Sequence, residues 1–116
     1  MRLADCVSVE IDEGIFKYVL IAATECSTGN SMQIVRGYGG CEYHADVLAT
    51  AAERLGSEIS LTCLGGGRIA HDANAKKVHI YGYSMAYGRA NHAESCKMCC
   101  DHFGDGYSVS WADEGY

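Results

Sequence analysis

The fold class that the sequence predicts is α/β in the broad sense, an α+β domain with the element order βββαββαβ, and three observations predict it. Six segments carry the period-two alternation of strands. Two segments carry the apolar spacing of amphipathic helices, and they fall after the third and the fifth strand. The 116 residues suffice for one compact domain with a core, and no low-complexity linker marks a boundary inside 1–116.

Val7, Val9 and Ile11 alternate with Ser8 and Glu10 as a half-buried first strand, and Asp12-Glu13-Gly14 supplies a turn. The second strand, Ile15 to Ala22, is apolar in both alternating sets: Ile15, Val19 and Ile21 on one face, Phe16, Tyr18, Leu20 and Ala22 on the other. That pattern predicts a central strand covered on both sides. Lys17 breaks it, and a lysine there either snorkels to the sheet edge or reaches into a cleft. After a polar loop containing Gly29-Asn30, Gln33 to Tyr38 form a third strand, interrupted by Arg36. Two cations in adjacent apolar strands must each find water or an anion.

Gly37, Gly39 and Gly40 loosen the chain before Glu42-Tyr43-His44-Ala45-Asp46. Val47, Leu48, Ala51, Ala52 and Leu55 then lie on one stripe of a helix that Gly56 stops. His44 is therefore at a helix N-terminus. No Ser, Thr or Asn precedes it, so either Glu42 caps the free N–H groups or an anion such as phosphate does. The plainer alternative is a surface histidine beside an ordinary cap.

Ile59, Leu61 and Cys63 alternate in a fourth strand that runs into Gly65-Gly66-Gly67-Arg68. The triplet permits close backbone approach and the guanidinium suits an oxyanion; a hairpin with a surface arginine fits the same letters. The nucleotide-cradling Gly-x-x-x-x-Gly-Lys pattern is absent. Val78, Ile80 and Gly82 alternate with His79, Tyr81 and Tyr83 in a fifth strand. It ends in Tyr83-Ser84-Met85-Ala86-Tyr87-Gly88, a stretch suited to a nest of inward N–H groups beside the Ser84 hydroxyl. Asn91 and Glu94 are spaced as a capping box for a second helix, His92 to Phe103, whose expected apolar stripe is Ala93, Cys96, Cys100 and Phe103 with Cys99 alongside. Tyr107, Val109 and Trp111 give a sixth strand, and Asp113 to Tyr116 an acidic end.

With 9 Lys and Arg against 15 Asp and Glu, a net charge of -6 argues against charge-driven binding to nucleic acid or anionic membrane. It also weighs against a small ribonuclease working with His and Lys. Any anion must be captured locally. The apolar run Ile15 to Ala23 contains Lys17 and follows acidic residues, so it reads as neither a membrane span nor a signal peptide. Seven irregularly spaced cysteines, without two paired Cys-x-x-Cys knuckles, point to free thiols in a reducing, cytoplasmic setting. Cys96, Cys99 and Cys100, with His92 or His102, could be ligands, but their spacing matches no usual zinc pattern and equally describes a buried helix face.

The segments FKYVL (16 to 20), IVRGY (34 to 38), EYHAD (42 to 46), CLGGGRI (63 to 69), KKVHIYGYSMAYG (76 to 88) and WADEGY (111 to 116) closely resemble the small metal-independent phosphohistidine phosphatases, a family that includes the insect janus and ocnus proteins. The match is in order over nearly the whole chain, and YHAD, GGGRI and YGYSMAYG are its most specific parts. The resemblance implies a mixed six-stranded sheet flanked by one helix on each side. It implies His44 as the catalytic residue, usually assigned as general base, with Lys17, Arg36 and Arg68 holding the phosphoryl group. Ser84 and the Ala86 N–H assist, and Tyr43 and Met85 belong to the same phosphate-binding set. It further implies no metal or other cofactor, phosphohistidine-containing proteins or peptides as substrates, no nucleic acid or membrane partner, and a monomer. Gly39-Gly40, Arg89 and the cysteines of the second helix depart from the family pattern. Direct attack by His44 is the alternative mechanism, and a janus-like module that binds phosphate without hydrolysis is the alternative function.

Overall fold

In the computed structural model, which describes residues 1–115, a 3-10 turn (Leu3–Asp5) precedes β1 (Val9–Ile11), β2 (Gly14–Glu25), β3 (Ser31–Gly37), α1 (His44–Leu55), β4 (Ile59–Asp72), β5 (Lys77–Tyr81), α2 (His92–Phe103) and β6 (Ser108–Trp111). Tyr116, the last letter of the terminal WADEGY segment, lies outside the described residues. The strands form one mixed sheet in the order β1-β3-β2-β4-β5-β6. β2 is antiparallel to both its neighbours, so β3 and β4 run parallel to each other and α1 is the crossover between them. β5 and β6 pair in parallel, with α2 as their crossover.

The double-sided apolar pattern of β2 explains its central place. Val19, Ile21 and Ala23 meet Val47, Ala51 and Leu55 of α1 on one face. Phe16, Tyr18 and Leu20 share the other with Ile69, Val78, Ile80 and Cys99 of α2. Each such aliphatic side chain stabilises the fold by about 1.5–3 kcal/mol when fully buried. The helices thus lie on opposite sides, as the resemblance implied.

Two local expectations are corrected. Gly65-Gly66-Gly67 is no hairpin: β4 continues through it, pairing these residues with Leu20, Val19 and Tyr18. The buried face of α2 is His92, Ser95 and Cys99, whereas Ala93 and Cys100 are exposed. The helix is turned so that two polar residues face the sheet, because Tyr18 presents a hydroxyl there that pairs with both. Asn91 caps this helix as expected, its Oδ1 accepting from Glu94 N–H at 3.2 Å.

One irregularity in β4 decides which way the chemistry points. Ile21 pairs with Cys63 but Leu20 pairs with Gly65, so Leu64 is an extra, bulged residue. In a plain strand Cys63 and Arg68, five residues apart, would face opposite sides of the sheet. The bulge restores the parity. Cys63 packs on the α1 side, and Arg68 emerges on that same side, directly across from Lys17.

Candidate active site

The Lys17–Arg68 pair forms the floor of a cleft of about 450 Å³ between the start of α1 and the turn after β5. Tyr43, His44, Ser84, Met85 and Ala86 line the same cleft, so every residue predicted for the site except Arg36 is gathered here. Among the described residues no carboxylate forms an ion pair with Lys17.

α1 begins at His44 because Tyr43 remains extended as its N-cap. Asp46, three residues on, accepts the Tyr43 N–H at 2.9 Å. The N–H groups of His44 and Ala45 have no backbone acceptor among the described residues and stand at the positive end of the helix. His44 itself is only 8 % exposed. Its Nε2 lies 2.9 Å from the Gly67 carbonyl, which can only accept, so Nε2 carries the proton and Nδ1 is left as the ring's acceptor. Burial holds the His44 pKa below its ordinary value, the cations Lys17 and Arg68 press the same way, and the Gly67 bond opposes them. The imidazole is therefore neutral at neutral pH.

The glycine triplet makes this placement possible. A Cβ on Gly66 would stand 2.7 Å from His44 Cδ2 and 2.8 Å from the Tyr18 carbonyl, so any side chain there would displace the imidazole. A Cβ on Gly67 would collide with the Tyr81 carbonyl and stand 2.7 Å from His92 Cε1. Close backbone approach was legible in the sequence; that the approaching groups are two histidines was not.

Opposite His44, Ser84 and Gly88 exchange backbone hydrogen bonds of 3.1 and 2.8 Å, and Ser84 Oγ accepts from the Tyr87 N–H at 3.0 Å. This closed turn leaves the N–H groups of Met85 and Ala86 without a backbone acceptor among the described residues, within the stretch Tyr83 to Gly88 that the sequence suits to a nest. Gly66 ties the turn to β4, donating to Gly88 O and accepting from Ala90 N–H, both at 3.0 Å. Tyr83 and Glu42 also line the cleft; Tyr83 stands in the YGYSMAYG stretch, where its letter alone carried no role.

Arg36 is a correction. It sits across from Val19 and beside Glu10, only 2 % exposed, with its guanidinium donating to the Val35 carbonyl at 2.9 Å and the Val7 carbonyl at 2.8 Å. It borders a separate cavity of about 210 Å³ with Arg54 and Leu55, at the far end of α1 from His44. This cation found two backbone carbonyls and the nearby Glu10 carboxylate, away from the cleft.

No cluster of three His, Cys, Asp or Glu side chains suited to a metal occurs among the described residues. All seven cysteines are free thiols. Burial pushes Cys99 up to about 12 and Cys96 up to about 11, so these thiols stay protonated and pack as small hydrophobes. No helix among the described residues is long and apolar enough to cross a membrane.

Comparison with known proteins accords with this geometry. The profile of the Janus/Ocnus family matches residues 3–107. The chain is 48 % identical to the 14 kDa phosphohistidine phosphatase of Sus scrofa, with 98 % of this chain and 95 % of that protein covered. It is 44 % identical to the Homo sapiens protein of the same name over the full length of both. It is 42 % identical to the sex-regulated protein janus-A of Drosophila pseudoobscura pseudoobscura, covering 98 % of this chain and 80 % of that one. On these matches the chain belongs to the Janus/Ocnus family.

Proposed function

We propose that the protein is a phosphohistidine phosphatase, hydrolysing the P–N bond of phosphohistidine in a protein or peptide without a metal. The observation that carries the reading is a neutral imidazole whose Nδ1 is its only open nitrogen, set in one cleft with two cations and the N–H groups of two chain turns. Two relatives of 44 % and 48 % identity bear the name of that activity.

The phosphoryl group docks with its non-bridging oxygens toward Lys17, Arg68 and the N–H groups of His44, Ala45, Met85 and Ala86. These groups stabilise charge in the transition state without reorganising. Ser84 holds the turn in shape. A water molecule in line with the P–N bond gives its proton to His44 Nδ1 as its oxygen bonds to phosphorus. The P–N pair leaves with the substrate ring, which departs neutral because its other nitrogen is already protonated. Phosphate and histidine are the products, and His44 returns its proton to solvent. The protein acts as a monomer in a reducing cytoplasmic compartment, where its thiols remain free.

Phosphate release from a phosphohistidine peptide tests the reading. Wild type should turn over equally well with and without EDTA, and His44→Ala should lose about a hundred- to ten-thousandfold while retaining its circular dichroism. A wild type that binds phosphate but releases none would instead be a non-catalytic phosphoprotein-binding module. Acid quenching during turnover of radiolabelled substrate separates water attack, which leaves no label on the protein, from a phosphorylated His44.

A further inference from the structure

Beneath the phosphate turn, on the α2 side of the sheet, lie three sealed polar side chains that the reaction does not use. His92 is 1 % exposed, Ser95 0 % and Tyr18 0 %. His92 Nε2 stands 2.7 Å from the Gly82 carbonyl, so Nε2 carries the proton and Nδ1 accepts. The Tyr18 hydroxyl meets that Nδ1 at 2.6 Å and Ser95 Oγ at 3.1 Å. Burying polar groups costs free energy unless every one is paired, and an apolar trio would fill the same space without that condition.

Their location supplies a reason. Gly82 opens the turn that presents Ser84, Met85 and Ala86. Its N–H donates to Glu114 O at 3.0 Å while its carbonyl is held by His92, so both polar atoms of this residue are fixed. On its other flank His92 packs against Gly67, where a Cβ would stand 2.7 Å from Cε1. Gly67 O is the acceptor that orients His44. One imidazole thus touches both the origin of the turn and the residue that aims the base. Burial holds His92 neutral, lowering its pKa against the opposing pull of the Gly82 bond.

We propose that His92, held by Tyr18 and Ser95, is a positioning residue that locks Gly82 and Gly67 together, so that the phosphate turn and His44 keep their mutual geometry from opposite ends of the cleft. Its kinetic consequence rests on the phosphatase reading; its effect on His44 and on phosphate binding does not.

The test compares His92→Leu, which removes the donor to Gly82, with His92→Gln, whose amide nitrogen reaches the same carbonyl, and with Tyr18→Phe, which removes only the hydroxyl. In His92→Leu, kcat on a phosphohistidine peptide should fall about a hundredfold, the scale of a 1 Å misplacement. Inorganic phosphate should bind about tenfold more weakly, and the ¹⁵N shifts of His44 should move away from the Nε2–H tautomer toward a mixture. His92→Gln should recover most of each change. A folded His92→Leu with unchanged phosphate affinity and unchanged His44 shifts would overturn the proposal, and so would failure of His92→Gln to recover what Leu loses. If His92→Leu does not fold, Tyr18→Phe decides by the same readouts: altered His44 shifts support the brace and unaltered ones refute it. Should wild type release no phosphate, the binding and ¹⁵N measurements still judge the brace, and only the phosphatase reading fails.

Discussion

At the scale of the residue, His44 owes its chemistry to two neighbours of opposite effect. Gly67 fixes which nitrogen bears the proton, and burial beside Lys17 and Arg68 keeps the other nitrogen unprotonated. Because the pKa lies below the ordinary 6.5, the acid limb of the activity profile should reach its half-height below that pH. The check is kcat/KM against pH, corrected for spontaneous hydrolysis; a half-loss at or above 6.5 would contradict the assignment. Lys17 differs from Arg68 in offering a mobile point charge, so Lys17→Ala should act on binding. A lost charge-assisted hydrogen bond of about 1.5–3 kcal/mol weakens phosphate affinity by about ten- to a hundredfold, measurable by calorimetric titration. The sequence separated Lys17 from Arg36 in no way, since both interrupt apolar strands. What divides them is register: Arg36 falls opposite Glu10 in reach of two carbonyls, while Lys17 falls opposite Arg68.

At the scale of the element, β4 carries the densest constraints. Gly66→Ala places a methyl 2.7 Å from His44 Cδ2 and 2.8 Å from the Tyr18 carbonyl, so both the ring and the β2–β4 ladder must yield, and phosphate release should fall by about a hundredfold. Circular dichroism together with kcat distinguishes this from unfolding. Helix boundaries were legible because chemical punctuation marks them: α1 from His44 to Leu55 with Gly56 beyond it, and α2 from His92 to Phe103 with Asn91 before it. The face of α2 was not, because His92 and Ser95 read as polar and only a hydroxyl from Tyr18, seventy-four residues earlier than His92 in the chain, makes their burial tolerable. Likewise the triplet at Gly65 reads as a loop until the pairing partner in β2 is known.

At the scale of the whole molecule, the sheet separates stability from chemistry. Arg36 ties Val7 to β3 from a buried position remote from the cleft, so Arg36→Met should lower the melting temperature by removing donors from the buried Val35 carbonyl and the part-buried Val7 carbonyl. The cost is about 1–3 kcal/mol, with phosphate affinity unchanged. Acid should weaken the fold through both buried histidines. Their folded-state pKa values are depressed, so the unfolded chain takes up protons first, and stability present above about 6.5 is lost progressively below it. Melting curves at neutral and mildly acidic pH check the sign.

The bulge at Leu64 acts on the strand as a frameshift acts on a message. With one residue more than its partner requires, β4 packs against α1 up to Cys63 and, past the bulge, presents Arg68 to the cleft on that same face. Were Leu64 instead to take a place in the ladder, every residue after it would change face, and Arg68 would turn beneath α2 and leave Lys17 alone on the floor of the cleft. One side chain left out of the pairing thus keeps two segments of the same strand on a common face.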